Sequence, residues 1–157
     1  MSVNNNIEIV KYTDEHFGQV ELKEELAFKS LLVGDPQIRL NILAQSGNGL
    51  VIMYKDEILG YMGYYEMWPG VCEIWAAPSV AVNKYPKTYL ATVKEYIHKT
   101  FDEKREYHRI QVTCPDTEYY DKWIGFLGLE CEGVLRQFDN ERNDCKIWSR
   151  VKICQQE

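Results

Sequence analysis

The sequence predicts a mixed α/β (α+β) domain. Three observations predict it: β-branched and aromatic runs of strand length, segments whose apolar residues recur at helical spacing, and turn residues that separate the two. At 157 residues the chain is long enough for one hydrophobic core and short for two, so a single domain over 1–157 is expected. With 45% hydrophobic and 27% charged residues it can bury enough apolar surface to offset chain entropy, which argues against disorder except at the ends.

In chain order, Ile7 to Tyr12 reads as a first strand, with Thr13 and Asp14 behind it as a helix N-cap. From Asp14 to Leu32 the apolar positions Phe17, Val20, Leu22, Leu26, Phe28 and Leu31 recur at helical intervals, and Gly34-Asp35-Pro36 closes that helix. A second short helix is expected over Gln37 to Ala44, ended by Ser46-Gly47-Asn48-Gly49. Three strands follow as an antiparallel meander: Leu50 to Tyr54, Ile58 to Glu66 and Val71 to Ala76, joined at Lys55-Asp56-Glu57 and Trp68-Pro69-Gly70. After an irregular stretch from Pro78 to Tyr85, Pro86 stands at a helix first turn, and Leu90, Val93, Ile97 and Phe101 form an apolar core face. Arg109 to Cys114 is a buried-type strand, Thr117 to Leu127 a helix, and Cys131 to Phe138 with Cys145 to Lys152 a closing pair of strands.

Composition excludes several function classes. No apolar run approaches the roughly 18 residues of a membrane helix, and the polar start Met1 to Asn6 carries no export pattern, so no membrane partner is expected. The five cysteines are scattered, without a C-x-x-C pair or a histidine at ligand spacing, which points to reduced thiols in a cytoplasm and to no metal. A net charge of -6 argues against a nucleic-acid partner, because phosphate-backbone binding needs clustered Lys and Arg. His98 and His108 have no companion at catalytic spacing and are expected at the surface or at helix ends.

The order strand, helices, meander, helix, strand, helix, hairpin resembles that of the GNAT family of acetyl-CoA-dependent N-acetyltransferases. The segment Gly128-Leu129-Glu130-Cys131-Glu132-Gly133-Val134-Leu135-Arg136 resembles the G-F-x-x-E-G-x-x-R segment of the branch that includes ribosomal-protein N-terminal acetyltransferases. Ile147-Trp148-Ser149-Arg150-Val151 resembles its closing strand. Ile74-Trp75-Ala76-Ala77-Pro78-Ser79, followed by Tyr85-Pro86, is similar to GNAT-like proteins of tailed bacteriophages, in which the phosphate loop is commonly degenerate. The resemblance covers about Ile58 to Val151 and implies a mostly antiparallel sheet of six to seven strands with helices on both faces.

It also implies a site. Acetyl-CoA would lie in a splay between the strand ending near Ala76 and the strand Arg109 to Cys114, its pantetheine arm along Trp75, Ala76 and Ala77. Its diphosphate would rest on the loop at Val82, Asn83, Lys84 and Lys87, where a helix N-terminus offers free donors. That loop departs from the family's Q/R-x-x-G-x-G/A: it has no glycine, and Pro86 has no N–H. Lys84 and Lys87 are the residues that can supply charge instead.

Direct attack of an amine on a thioester needs a base and an acid. Glu73, between Cys72 and Ile74 on a central strand, is the base candidate, with Glu66 in reserve. The position of the usual tyrosine acid holds Ile124, so Tyr119 and Tyr120, one turn earlier, are the acid candidates. The implied acceptor is an amine-bearing small molecule or a protein N-terminus. The alternative is a GNAT-fold binding or structural module. The hairpin with Trp148 is a candidate homodimer face or a core strand.

Overall fold

The computed structural model describes residues 6–23, 35–45, 48–103 and 105–153. Within them the chain forms β1 (Ile7–Lys11), α1 (Pro36–Gln45), β2 (Leu50–Tyr54), β3 (Glu57–Trp68), β4 (Val71–Pro78), α2 (Pro86–Ile97), β5 (Arg109–Pro115), α3 (Glu118–Phe126), β6 (Glu130–Leu135) and β7 (Cys145–Val151). The strands make one seven-stranded sheet, in the order β1-β2-β3-β4-β5-β7-β6, flanked by helices. The pairs β1–β2, β2–β3, β5–β7 and β6–β7 are antiparallel. β4 and β5 are parallel, and α2 lies in the crossover connection that parallel neighbours need.

The expected elements from Leu50 onward are present, mostly with one to three residues added or removed at their ends. The β2–β3 turn, Lys55-Asp56, takes positive φ at both residues (49° and 63°), the geometry that matches strand twist in a two-residue hairpin. The stretch expected to be irregular contains a 3₁₀ turn, Val80–Asn83. α2 runs into a widened π turn, His98–Asp102, which buries Phe101.

The long helix expected from Asp14 is not formed over the described residues. Only Asp14–His16 is helical, as one 3₁₀ turn in which the Thr13 N–H donates to His16 Nδ1 (2.9 Å). Phe17 then turns extended (ψ 126°), Gly18 takes φ +69°, and Phe17 is 45% exposed rather than in the core. Residues 21–23 lie antiparallel against Pro78–Val80: Lys23 N–H donates to the Pro78 carbonyl (3.0 Å), and Val80 N–H to that of Glu21 (3.0 Å). Leu22 thus sits in a β-bridge with Ser79, and backbone pairing across the fold overrides the apolar periodicity. The remainder of that expected helix, from residue 24, lies outside the described residues.

Contacts among the described residues separate two compact units. The first contains the described residues up to Tyr64 together with Trp75–Tyr89. Its core joins Tyr12, Leu40, Ala44, Val51, Tyr61, Trp75 and Ala77, and the Tyr61 hydroxyl donates to the His16 carbonyl (3.0 Å), pinning the 3₁₀ turn. Gly63 leaves the space that the Trp75 indole occupies against β3. A Cβ there would stand 2.6 Å from the indole ring and 2.6 Å from the Asn48 carbonyl oxygen.

The second unit contains Tyr65–Ile74 and the described residues from Leu90 onward. β5 and β7 pair over their whole length, from Arg109↔Val151 to Pro115↔Cys145. α3 is capped by the Thr117 hydroxyl, which accepts from Tyr120 N–H (3.4 Å), and is followed by Gly128 at φ +85°. Lys146 of β7 ties it down through Asp116 and Asp121, each at 2.9 Å.

Gly63→Ala is expected to lower the unfolding free energy by about 1–3 kcal/mol through overpacking against a backbone oxygen that cannot retreat. Gly125→Ala, in α3 with open space around its Cβ, is expected to raise it by up to about 1 kcal/mol. Urea unfolding of the two variants checks both signs.

Candidate functional site

β5 alternates. Ile110, Val112 and Cys114 are buried on one face, while Arg109, Gln111 and Thr113 place polar groups on the other. Gln111 is only 8% exposed, so both ends of its amide need partners inside the protein. Its Nε2 donates to Glu73 Oε2 (3.1 Å) and faces Met67 Sδ (3.4 Å), and its Oε1 accepts from Arg109 Nε (2.9 Å). The two terminal nitrogens of Arg109 bind both oxygens of Glu132, at 2.6 and 2.9 Å. The Ser149 hydroxyl donates to the same carboxylate.

Register explains why these residues meet. Glu73 pairs with Gln111 and Gln111 with Ser149, so the three share one face across β4, β5 and β7. On β6, Glu130 pairs with Ser149, Cys131 with Trp148 and Gly133 with Ile147. Glu132 is therefore the extra residue of a bulge, and the bulge brings its carboxylate to Arg109. The Glu132-Gly133 pair, noted in the sequence as a motif, thus has a geometric function.

The electrostatics follow from these contacts. Burial raises the Glu73 pKa, and the hydrogen bond from Gln111 offsets part of that rise. Burial, with the Glu73 charge added, also raises the Tyr65 hydroxyl. Hydrogen bonds from Arg109 and then Ser149 hold Glu132 down at about 2. Glu66, the reserve base, is exposed and accepts from Gly70 N–H (3.1 Å), which ties it to the β3–β4 turn. The parallel ladder of β4 and β5 covers Val71–Arg109, Cys72–Ile110 and Glu73–Gln111, so Glu73 stands on its last rung.

The segment expected to meet a cofactor lies in the first unit. Trp75 and Ala77 are buried and Ala76 is half-buried. The loop after β4 does not fit a diphosphate. Val80 N–H donates to Glu21 O, Ala81 N–H to Ser79 Oγ, Val82 N–H to Ser79 O, Lys84 N–H to Ala81 O and Tyr85 N–H to Val82 O. Pro86 has no N–H, so these amides form a self-bonded turn rather than a set converging on one point. Val82 is buried, Asn83 and Lys87 are exposed, and Lys84 Nζ is ion-paired with Glu57 (3.1 Å). Tyr85 packs edge-on against Tyr54, with the rings 4.8 Å apart.

Tyr119 and Tyr120 stand in the first turn of α3 with their rings 5.1 Å apart, and Tyr119 also meets Trp123. Gln111, which marks the position of Glu73, lies about 13 Å before Pro115 along β5, at about 3.3 Å per residue, and the tyrosines follow that end. Ile124 is buried, as a core residue. Arg109 and Gln111 did not stand out as site residues in the sequence. The signal that could have found them is polar alternation within a strand whose other residues are Ile110, Val112 and Cys114. Among the described residues, no group of three His, Cys, Asp or Glu side chains could hold a metal ion.

No protein-family model matches the chain, and no curated protein does. Solved structures do. A GNAT-family acetyltransferase from Bacillus anthracis superposes with a TM-score of 0.67 at 13% identity, over 93% of this chain and 95% of its own. Ard1 from Thermoplasma volcanium gives 0.72 at 10% identity, over 94% and 99%. A Bacillus subtilis acetyltransferase solved with CoA gives 0.67 at 14% identity, over 94% and 99%. At these identities the likeness shows the fold: this chain has the fold of the GNAT acetyltransferases.

Burial of Glu73 has a consequence for stability. An acid whose pKa is raised on folding loses stability as pH climbs above its unfolded value, and the loss is complete above the folded one. Glu73→Gln is therefore expected to raise the thermal midpoint at pH 7.5 by about 2 °C or more, with the gain vanishing near pH 4. A thermal-melt series over pH checks it. An unchanged or lower midpoint at pH 7.5 would mean that the carboxylate is well solvated.

Proposed function

We propose that this chain, built on the GNAT fold, transfers an acetyl group from acetyl-CoA to a primary amine, with Glu73 as the base. The observation that carries the reading is the half-buried Glu73 on the last rung of the β4–β5 ladder, its carboxylate held by Gln111. A carboxylate whose pKa is raised by burial is a stronger proton acceptor, which suits it to take a proton from an attacking amine.

Acetyl-CoA supplies the thioester. Glu73 takes the amine proton as the N–C bond forms, and Tyr119 or Tyr120 returns a proton to sulfur as the C–S bond breaks. Strand alternation supports the thioester arm. Ser79 N–H bonds Leu59 O on the β3 side, whereas Pro78 O and Val80 N–H bond residues 21–23 on the other edge. Two residues earlier, the peptide groups of Ala76 turn to that same edge, where a pantetheine amide can pair as an added strand does. Lys87, exposed in the first turn of α2, is the charge for phosphate. The acceptor is a small amine or a protein N-terminus, and the net charge of -6 favours a cationic one.

A second reading, a binding or structural module without turnover, is favoured by one observation: the self-bonded amides of the loop after β4. It also agrees with the likeness of Ile74 to Ser79 to phage-encoded GNAT-like proteins.

Calorimetry with acetyl-CoA separates the two. The transferase reading expects micromolar binding that weakens on Lys87→Ala. It also expects Glu73→Gln to bind normally and to lose about 10²-fold or more in kcat with an amine acceptor. No heat at millimolar acetyl-CoA would favour the module.

A further inference from the structure

We infer that Arg109 is a positioning residue for Glu73: it fixes which end of the Gln111 amide faces that carboxylate, and Glu132 at the β6 bulge holds Arg109 in the posture this requires. Its relevance to catalysis rests on Glu73 being the base.

The inference follows from donors and acceptors. A primary amide has an accepting end and a donating end of nearly the same size, so shape alone does not choose between its two orientations. Gln111 is buried, and water cannot make the choice irrelevant. Arg109 makes it. A guanidinium only donates, so Nε at 2.9 Å compels Gln111 to present its oxygen, and the NH₂ end is left for Glu73 at 3.1 Å. Met67 Sδ at 3.4 Å is a weak acceptor facing the same NH₂ and agrees with that orientation.

Arg109 is itself held. The bidentate pair with Glu132 fixes the guanidinium plane through two further nitrogens, and the Ser149 hydroxyl fixes Glu132. With the opposite orientation Gln111 would turn a carbonyl toward Glu73, an arrangement that tolerates only the protonated acid. The titratable groups around Glu73 in this network are few. β3 contributes Tyr65, with Glu66 spent on its turn; β5 contributes Arg109 through Gln111; β6 contributes Glu132, neutralised by Arg109.

The test is a carboxyl ¹³C NMR titration of the full chain, with the Glu73 signal identified by its loss in Glu73→Gln. Four proteins form a cycle: wild type, Arg109→Met, Gln111→Met and the double variant. Arg109→Met is expected to raise the Glu73 midpoint by about half a pH unit or more, and in the Gln111→Met background to change it by less than about 0.2. Arg109→Lys, which keeps a cation and a donor but loses the fork, should recover part of the shift. A full shift that survives in the Gln111→Met background would overturn the inference, because Arg109 would then act by its charge alone. Absence of any shift on Arg109→Met would overturn it too. Should Arg109→Met not fold, Arg109→Gln takes its place in the cycle. If the protein acetylates an amine, the acid limb of kcat/KM moves with the NMR midpoint across the same variants. A coupled midpoint in a protein that transfers nothing supports the orientation by Arg109 and overturns the transferase reading.

Discussion

A buried primary amide has to place one donor and one acceptor correctly, and Gln111 meets that requirement in the middle of a sheet. Its oxygen is taken by Arg109 and its NH₂ by Glu73, so three residues on two strands satisfy one another. Arg109 then carries a charge into a partly buried place and needs a carboxylate, which β6 supplies through Glu132. β6 can supply it only by inserting an extra residue, since the regular register puts Glu130 opposite Ser149 and Gly133 opposite Ile147. The bulge, the ion pair and the amide donor turned toward Glu73 are thus consequences of one buried side chain.

That arrangement sets stability against chemistry. Glu73 would be more comfortable in water, and burial raises its pKa despite the Gln111 hydrogen bond. Such a group weakens the folded state at neutral pH and sharpens a proton acceptor at the same time. Glu132 shows the opposite regime in the same network: strong donors hold it ionised down to about 2, so it keeps Arg109 in place across the pH range in which Glu73 titrates. A fixed ion pair next to a tunable acid is a workable division of labour for a site on rigid strands.

The loop after β4 follows a different logic. A phosphate cradle leaves several N–H groups unpaired until the anion arrives, which is why glycines and an open turn suit it. Here Ser79, Ala81 and Val82 accept those N–H groups within one 3₁₀ turn, the Glu21 carbonyl accepts from Val80 N–H, and the Pro78 carbonyl accepts from Lys23 N–H. The first unit is correspondingly well satisfied in this region, and any anion there would meet lysine side chains rather than converging amides.

Much of the fold was legible in local sequence. Leu50–Tyr54 reads as a strand because its side chains are β-branched or apolar between turn residues, and Pro86 marks the start of α2 because its missing N–H is harmless there. Glu73 was legible as a base candidate from its neighbours alone, although alternation left its direction open. The tertiary structure decided the rest. Phe17, Val20 and Leu22 have helical spacing, yet residues 21–23 became a β-bridge partner, because periodicity reports which side chains favour burial and says nothing about which backbone groups a distant strand will claim. The direction of the Gln111 amide toward Glu73 and the bulge at Glu132 belong to the same class. Each depends on pairing between residues far apart in the chain, and only the folded register brings those residues within hydrogen-bond distance.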